Sequence, residues 1–152
     1  MTPRYFWEDF PSGWTYESGS RTVTADEIKA FAREYDPQDY HLDETRAATT
    51  PFGGLIASGR HTCGIAMRLM CDGYLLESSC IGSPGLEELR WLEPVRPGDA
   101  LRLRSTVLEQ TPSQRQATRG TVRFCWEVLN QRGAIVCRMV GRQHYVRRHP
   151  AT

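Results

Sequence analysis

The sequence predicts an α+β fold in which a curved antiparallel sheet wraps around one long central helix. Three observations predict it. Residues 60–76 hold Ile65, Ala66, Met67, Leu69, Met70 and Cys71 without a proline, and a helix this apolar is expected to be mostly buried. The second half of the chain alternates apolar and polar side chains, the period of strands with one covered face. Before both lies one amphipathic helix with its own start and stop signals, and no internal repeat divides the 152 residues. A single domain spanning 1–152 is therefore expected, with 147–152 as a disordered tail.

Taken in order, residues 5–19 are aromatic and turn-rich, and 15–23 read as a first strand. Thr24 with Glu27 three positions later forms a capping box, since hydroxyl and carboxylate each satisfy an exposed N–H of the first turn. Ile28, Phe31, Ala32 and Tyr35 then fall at i, i+3, i+4 and i+7, giving one apolar face. Pro37 disfavours helical geometry at Asp36, so the helix ends there. Residues 41–52 are polar and small, a loop or a short turn of helix, closed by Pro51 and the pair Gly53-Gly54. After the apolar helix, 78–85 contain Cys80, Pro84 and two glycines, and read as an entrance loop or a plain connection. Residues 86–92 form a strand that ends at the turn Glu93-Pro94-Val95-Arg96-Pro97-Gly98-Asp99. Leu101-Arg102-Leu103-Arg104 alternates. A loop at 111–113 leads to Val122, Phe124, Trp126 and Val128, which alternate with Arg123, Cys125 and Glu127. The turn Asn130-Gln131-Arg132-Gly133 then sends 135–145 back as the last strand.

Composition narrows the function. Net charge is +1, and the 19 basic residues are interleaved with 18 acids, so no basic footprint for nucleic acid exists. Lys29 is the only lysine; the arginine excess reads as composition before it reads as phosphate binding. Five cysteines without a C-x-x-C pair suit free thiols in a reducing cytoplasm. The N-terminus lacks a signal-peptide pattern, and no apolar run approaches ~18 residues, so neither secretion nor membrane insertion is expected. His41, His61, His144 and His149 show no metal-ligand spacing. Ala57-Ser58-Gly59 lacks the flanking glycine of a hydrolase elbow.

The stretch 36–59, DPQDYHLDETRAATTPFGGLIASG, carries the chemistry. Asp36 and His41 leave the end of one helix together, and a carboxylate with an imidazole can hold and activate a water. Ser58-Gly59 opens the apolar helix, whose free N–H groups can polarise an acyl carbonyl. Addition or removal of water beside a carbonyl is the chemistry such a set serves. Read as structure alone, Asp36 caps a helix, His41 makes a buried hydrogen bond, Gly59 permits a tight turn, Ser58 caps the next helix, and His61 is a packed or capping histidine.

The element order and these residues resemble the MaoC-type dehydratases, the hotdog-fold group that includes (R)-specific enoyl-CoA hydratases. The family signature D-x-N-P-x-H is matched at Asp36 and His41, and Leu55-Ile56-Ala57-Ser58-Gly59 supplies the apolar segment that follows it; the Pro97-Gly98-Asp99 turn is also shared. Gln38 stands where the family has Asn, and Asp39 where it has Pro; an Asp39 close to Asp36 would raise one carboxylate pKa by like-charge repulsion. The resemblance implies an acyl dehydratase or enoyl-CoA hydratase of fatty acid metabolism. Asp36 is then the base and His41 the partner that positions the water, Gly59 donates to the thioester carbonyl, and Ser58 and Gln38 lie toward the substrate. It further implies an acyl-CoA or acyl-carrier-protein thioester as substrate, no tightly held cofactor, and a homodimer or dimer of dimers. Two alternatives stand beside it. One is a hotdog thioesterase, for which the central helix offers only Asp72, roughly three turns beyond Gly59. The other is a non-catalytic acyl-thioester-binding subunit, suggested by Asp39.

Overall fold

The computed structural model describes residues 2–152. After a 3-10 turn at Trp7–Asp9, the chain forms β1 (Thr15–Glu17), β2 (Arg21–Thr22), α1 (Ala25–Tyr35), α2 (Asp39–Leu42), α3 (Glu44–Ala48) and α4 (Gly59–Met70). A π turn at Cys71–Leu75 prolongs α4, and the strands β3 (Cys80–Trp91), β4 (Ala100–Pro112), β5 (Arg119–Leu129) and β6 (Ile135–Val146) complete the order. All strand pairs are antiparallel, in the order β1-β4-β5-β6-β3, with β2 also on β4.

The central helix covers the expected span and lies on the apolar face of the sheet. Ile65, Ala66, Met70 and Tyr74 share one buried cluster with Phe124, Trp126 and Val128 of β5 and Met139 of β6. Each large apolar side chain buried there stabilises the fold by about 1.5–3 kcal/mol, so the α4–sheet contact is a principal source of its stability. The π turn directs Tyr74 inward, where its hydroxyl donates to Ser105 at 3.1 Å and accepts from Trp126 Nε1 at 3.2 Å. On the other face of the sheet, Arg104 and Arg138 flank Glu127, and Arg123 and Arg142 flank Glu87; the alternation of β5 thus separates core from charge.

Several expectations need correction. The first strand is split, because Ser18 inserts its hydroxyl into the ladder: its N–H donates to the Leu103 carbonyl at 2.9 Å while its Oγ accepts from Leu103 N–H at 2.8 Å. Residues 80–85 are strand rather than loop. Gly82 and Gly85, with φ of 128° and 137°, form bulges against β6, and Pro84 is tolerated because β3 is an edge. The expected loop at 111–113 begins late, since β4 runs on to Pro112. The supposed disordered tail is tied down through His149: Arg147 N–H donates to the Thr118 carbonyl, the N–H groups of Arg148 and His149 donate to Glu8, and the Arg148 guanidinium pairs with Asp9.

Candidate active site

Asp36 sits where α1 stops. The Thr24–Glu27 capping box forms as expected, with Glu27 N–H donating to Thr24 Oγ1 at 3.1 Å and Thr24 N–H to Glu27 Oε2 at 2.9 Å. At the other end Asp36 leaves helical geometry at φ −153°, ψ 69°. Pro37 and Gln38 then lead into α2, which delivers His41 back toward Asp36. His41 Nε2 lies 3.2 Å from Asp36 Oδ2, and the imidazole is almost fully buried.

The other imidazole nitrogen fixes the tautomer. Nδ1 is 2.7 Å from the Ile56 carbonyl oxygen, which can only accept, so Nδ1 carries the proton. The connection that carries Ile56 is itself pinned: its N–H donates to the Tyr40 carbonyl at 3.1 Å, and the next N–H, of Ala57, donates to the Val95 carbonyl at 2.8 Å. In the neutral imidazole Nε2 is therefore an acceptor, turned toward another acceptor, Asp36 Oδ2. The pair accommodates one proton between them, or a water that donates to both.

Asp36 is held on its other oxygen as well. Gln38 Nε2 donates to Asp36 Oδ1 at 2.6 Å, and Tyr40 OH donates to Gln38 Oε1 at 2.7 Å. The carboxyl stays below its ordinary range, first through the Ser58 hydroxyl, then through Gln38 and His41, all acting against a desolvation that raises it. Ser58 Oγ is buried without a well-formed hydrogen bond, and it does not cap α4; the expected cap is replaced by proximity to Asp36. Asp39 is engaged elsewhere. It is the first residue of α2 and pairs with Arg46 in solvent. That position tolerates proline because its N–H has no helical acceptor, and it favours a carboxylate through the helix dipole, so the two residues are interchangeable there.

Asp36, Gln38, Tyr40, His41 and Ser58 line a cleft of about 580 Å³, whose apolar wall includes Phe52, Ile56, Val95 and Val136. Gly59 and Arg60, the first two residues of α4, also line it, and their N–H groups have no helical carbonyl to donate to. Trp91 closes over Gly59, an element that no local sequence signal announced. His61 is packed, as expected: its ring stacks on Phe31 at 4.8 Å and 6°, and burial pushes its pKa down. Asp72 lies in the π turn and pairs with Arg68 at 3.0 Å in solvent, away from Gly59. Among the described residues no cluster of His, Cys, Asp or Glu could hold a metal ion, and no helix is long and apolar enough to cross a membrane.

A long helix laid on an antiparallel sheet is the arrangement this chain shares with solved MaoC-like structures. The MaoC like domain family matches residues 11–124, and the chain belongs to it. It is similar to the MaoC-like dehydratase of Rhodospirillum rubrum, whose crystal structure matches with a TM-score of 0.88 at 43% identity, covering 95% of this chain and 98% of that one. It is 31% identical over 109 residues to the uncharacterized protein YdeM of Bacillus subtilis, covering 72% of this chain and 77% of that one. With the 3-hydroxybutyryl-CoA dehydratase of Methylorubrum extorquens it shares 30% identity over 117 residues, 74% of this chain and 69% of that one.

Proposed function

We propose that the protein is a hydro-lyase acting on acyl thioesters, adding water across the 2,3-bond of an enoyl-CoA or enoyl-carrier-protein substrate, or removing it from the 3-hydroxyacyl form. The observation that carries this reading is the convergence of two proton acceptors, Asp36 Oδ2 and His41 Nε2 at 3.2 Å, beside the open N–H groups of α4.

A water donating one hydrogen to each acceptor keeps its lone pairs free. One lone pair attacks C3, the C2–C3 π electrons move toward the thioester carbonyl, and the water proton passes to Asp36. His41 holds the second hydrogen and keeps the oxygen aligned. The resulting enolate oxygen accepts from Gly59 N–H; a lost donor of this kind typically costs ~3 kcal/mol. The proton on the Asp36–His41 pair then returns to C2, which leaves a hydroxyl at C3 and no net charge. The low Asp36 pKa keeps that group ionised at neutral pH. The reaction needs no bound cofactor.

The same reading includes a homodimer. β3 is a 12-residue edge strand with Ile81 and Leu86 about half exposed, and pairing two copies along it removes an open edge. The test is turnover: purified protein is mixed with short, medium and branched trans-2-enoyl-CoAs, and loss of the enoyl-thioester absorbance is followed with mass analysis of the product. A product heavier by one water is expected. Thioester binding without any turnover across the panel would contradict the reading and favour a binding subunit, whereas release of free CoA would favour a thioesterase.

A further inference from the structure

We infer that Trp91 is a positioning residue for the carbonyl-binding end of the cleft, holding the Gly59–Arg60 peptide in the plane that its N–H group needs. The inference rests on the proposed hydration chemistry for its functional meaning, and on three observations for its geometry.

First, Trp91 Nε1 donates to the Gly59 carbonyl oxygen at 3.0 Å, across 32 residues of sequence. That carbonyl belongs to the same peptide unit as the Arg60 N–H. A donor on the oxygen end fixes the rotation of this unit and, by polarising it, strengthens the N–H at the other end. Second, the indole lies flat against Gly59: a Cβ built there would be 2.3 Å from Trp91 Cε2 and 2.6 Å from Nε1. The glycine is required because the indole occupies the side-chain space, and Gly59 itself has no unusual backbone torsion. Third, Trp91 is 48% exposed and lines the cleft, with the Arg60 guanidinium 5.7 Å from its ring centroid. A tryptophan kept half in solvent contributes less to the core than a buried one, so its hydrogen bond to the helix start is its distinctive contribution.

The position in the sheet makes the device rigid. Trp91 is the last residue of β3 and lies opposite Cys137 of β6, and the N–H of the next residue, Leu92, donates to the Val136 carbonyl at 2.9 Å. The indole therefore reaches α4 from a paired strand end rather than from a free loop. Gly59 N–H and Arg60 N–H, on successive peptides of the helix start that lines the cleft, are then two donors available to one developing oxyanion.

The experiment compares the wild type with Trp91→Phe, which keeps an aromatic ring over Gly59 and removes the indole N–H. Two readouts are taken: kcat and KM with the enoyl-CoA that the wild type turns over best, and the Arg60 amide resonance in a ¹H–¹⁵N spectrum. The inference expects kcat to fall roughly fivefold to tenfold with KM changed less than about twofold, as loss of a hydrogen bond felt mainly in the transition state requires, together with a displaced Arg60 amide resonance. Unchanged kcat with an unmoved resonance, or a rise in KM alone, would overturn it; the second result would make Trp91 a substrate contact. A wild type without turnover would count against the proposed function, and in that case the Arg60 resonance alone decides whether Trp91 holds the peptide.

Discussion

Gly59→Ala is the substitution whose outcome the structure specifies most closely. The added methyl would sit 2.3 Å from Trp91 Cε2 and 2.7 Å from Cδ2, whereas carbon atoms in contact rest at ~3.5–4.0 Å. The ring must retreat by more than 1 Å, roughly the difference between those spacings. It can do so because half of it faces solvent, but the retreat breaks the 3.0 Å bond from Nε1 to the Gly59 carbonyl. Overpacking of this kind costs about 1–3 kcal/mol, and replacing glycine by alanine in a helix returns about 0.5–1 kcal/mol. At mid-range values the net loss of about 1 kcal/mol corresponds to a fall in Tm of roughly 2–4 °C for a chain of this length. Thermal melts of Gly59→Ala, Trp91→Ala and the double variant read this directly. In the Trp91→Ala background the alanine meets no ring and should cost nothing. An unchanged or raised Tm for Gly59→Ala alone, or the same loss in both backgrounds, would refute the reasoning.

The remaining predictions concern charge and the unusual signature residues. Ser58→Ala removes the strongest influence holding the Asp36 carboxyl down, so the acid limb of the activity profile should move to higher pH. A depressed carboxyl pKa stabilises the fold above the unfolded value and loses that contribution as pH falls through the folded one, so Ser58→Ala should be less stable than the wild type at neutral pH, with the difference closing on acidification. His61 has the opposite charge type and a lowered pKa caused chiefly by burial. The unfolded chain then binds more protons below its ordinary 6.5, and stability present above that value is lost on acidification. His61→Phe should flatten the fall in Tm between about pH 7.5 and 5.5, as a melt series would show. Asp39→Pro should leave kcat/KM within about threefold, because residue 39 faces Arg46 and solvent at a position proline favours; appearance of activity only in this variant would show that Asp39 silences the site.

The parts of the site that were legible in the sequence are those whose partners are close along the chain. Thr24 and Glu27 lie within one helical turn, and Asp36 and His41 are separated only by a proline-directed turn, so spacing alone brings them together. The alternation of β5 was equally readable, because Val122, Phe124, Trp126 and Val128 all enter the core. What was missed depends on distant backbone. The Ile56 carbonyl fixes the His41 tautomer, and a carbonyl leaves no mark in a sequence. Trp91 was one apolar residue of a strand until folding placed it on Gly59. Cys80–Gly85 looked like a loop because glycine and proline signal turns locally, whereas an edge strand with bulges accepts both. Ser58 occupies the cap position, yet its buried hydroxyl makes no cap bond and instead lowers the Asp36 pKa, an outcome that only the arrival of α1 decides.

The most direct test of the central claim is the hydration rate of Asp36→Asn and His41→Ala beside the wild type, with folding verified by melting and thioester binding measured in parallel. If the pair activates the water, each variant should retain binding and lose at least about a hundredfold in kcat, the contribution expected of general acid–base groups. The double variant should then fall little further than the worse single one, because the two act as a unit. Variants that bind and turn over at close to the wild-type rate would contradict the account.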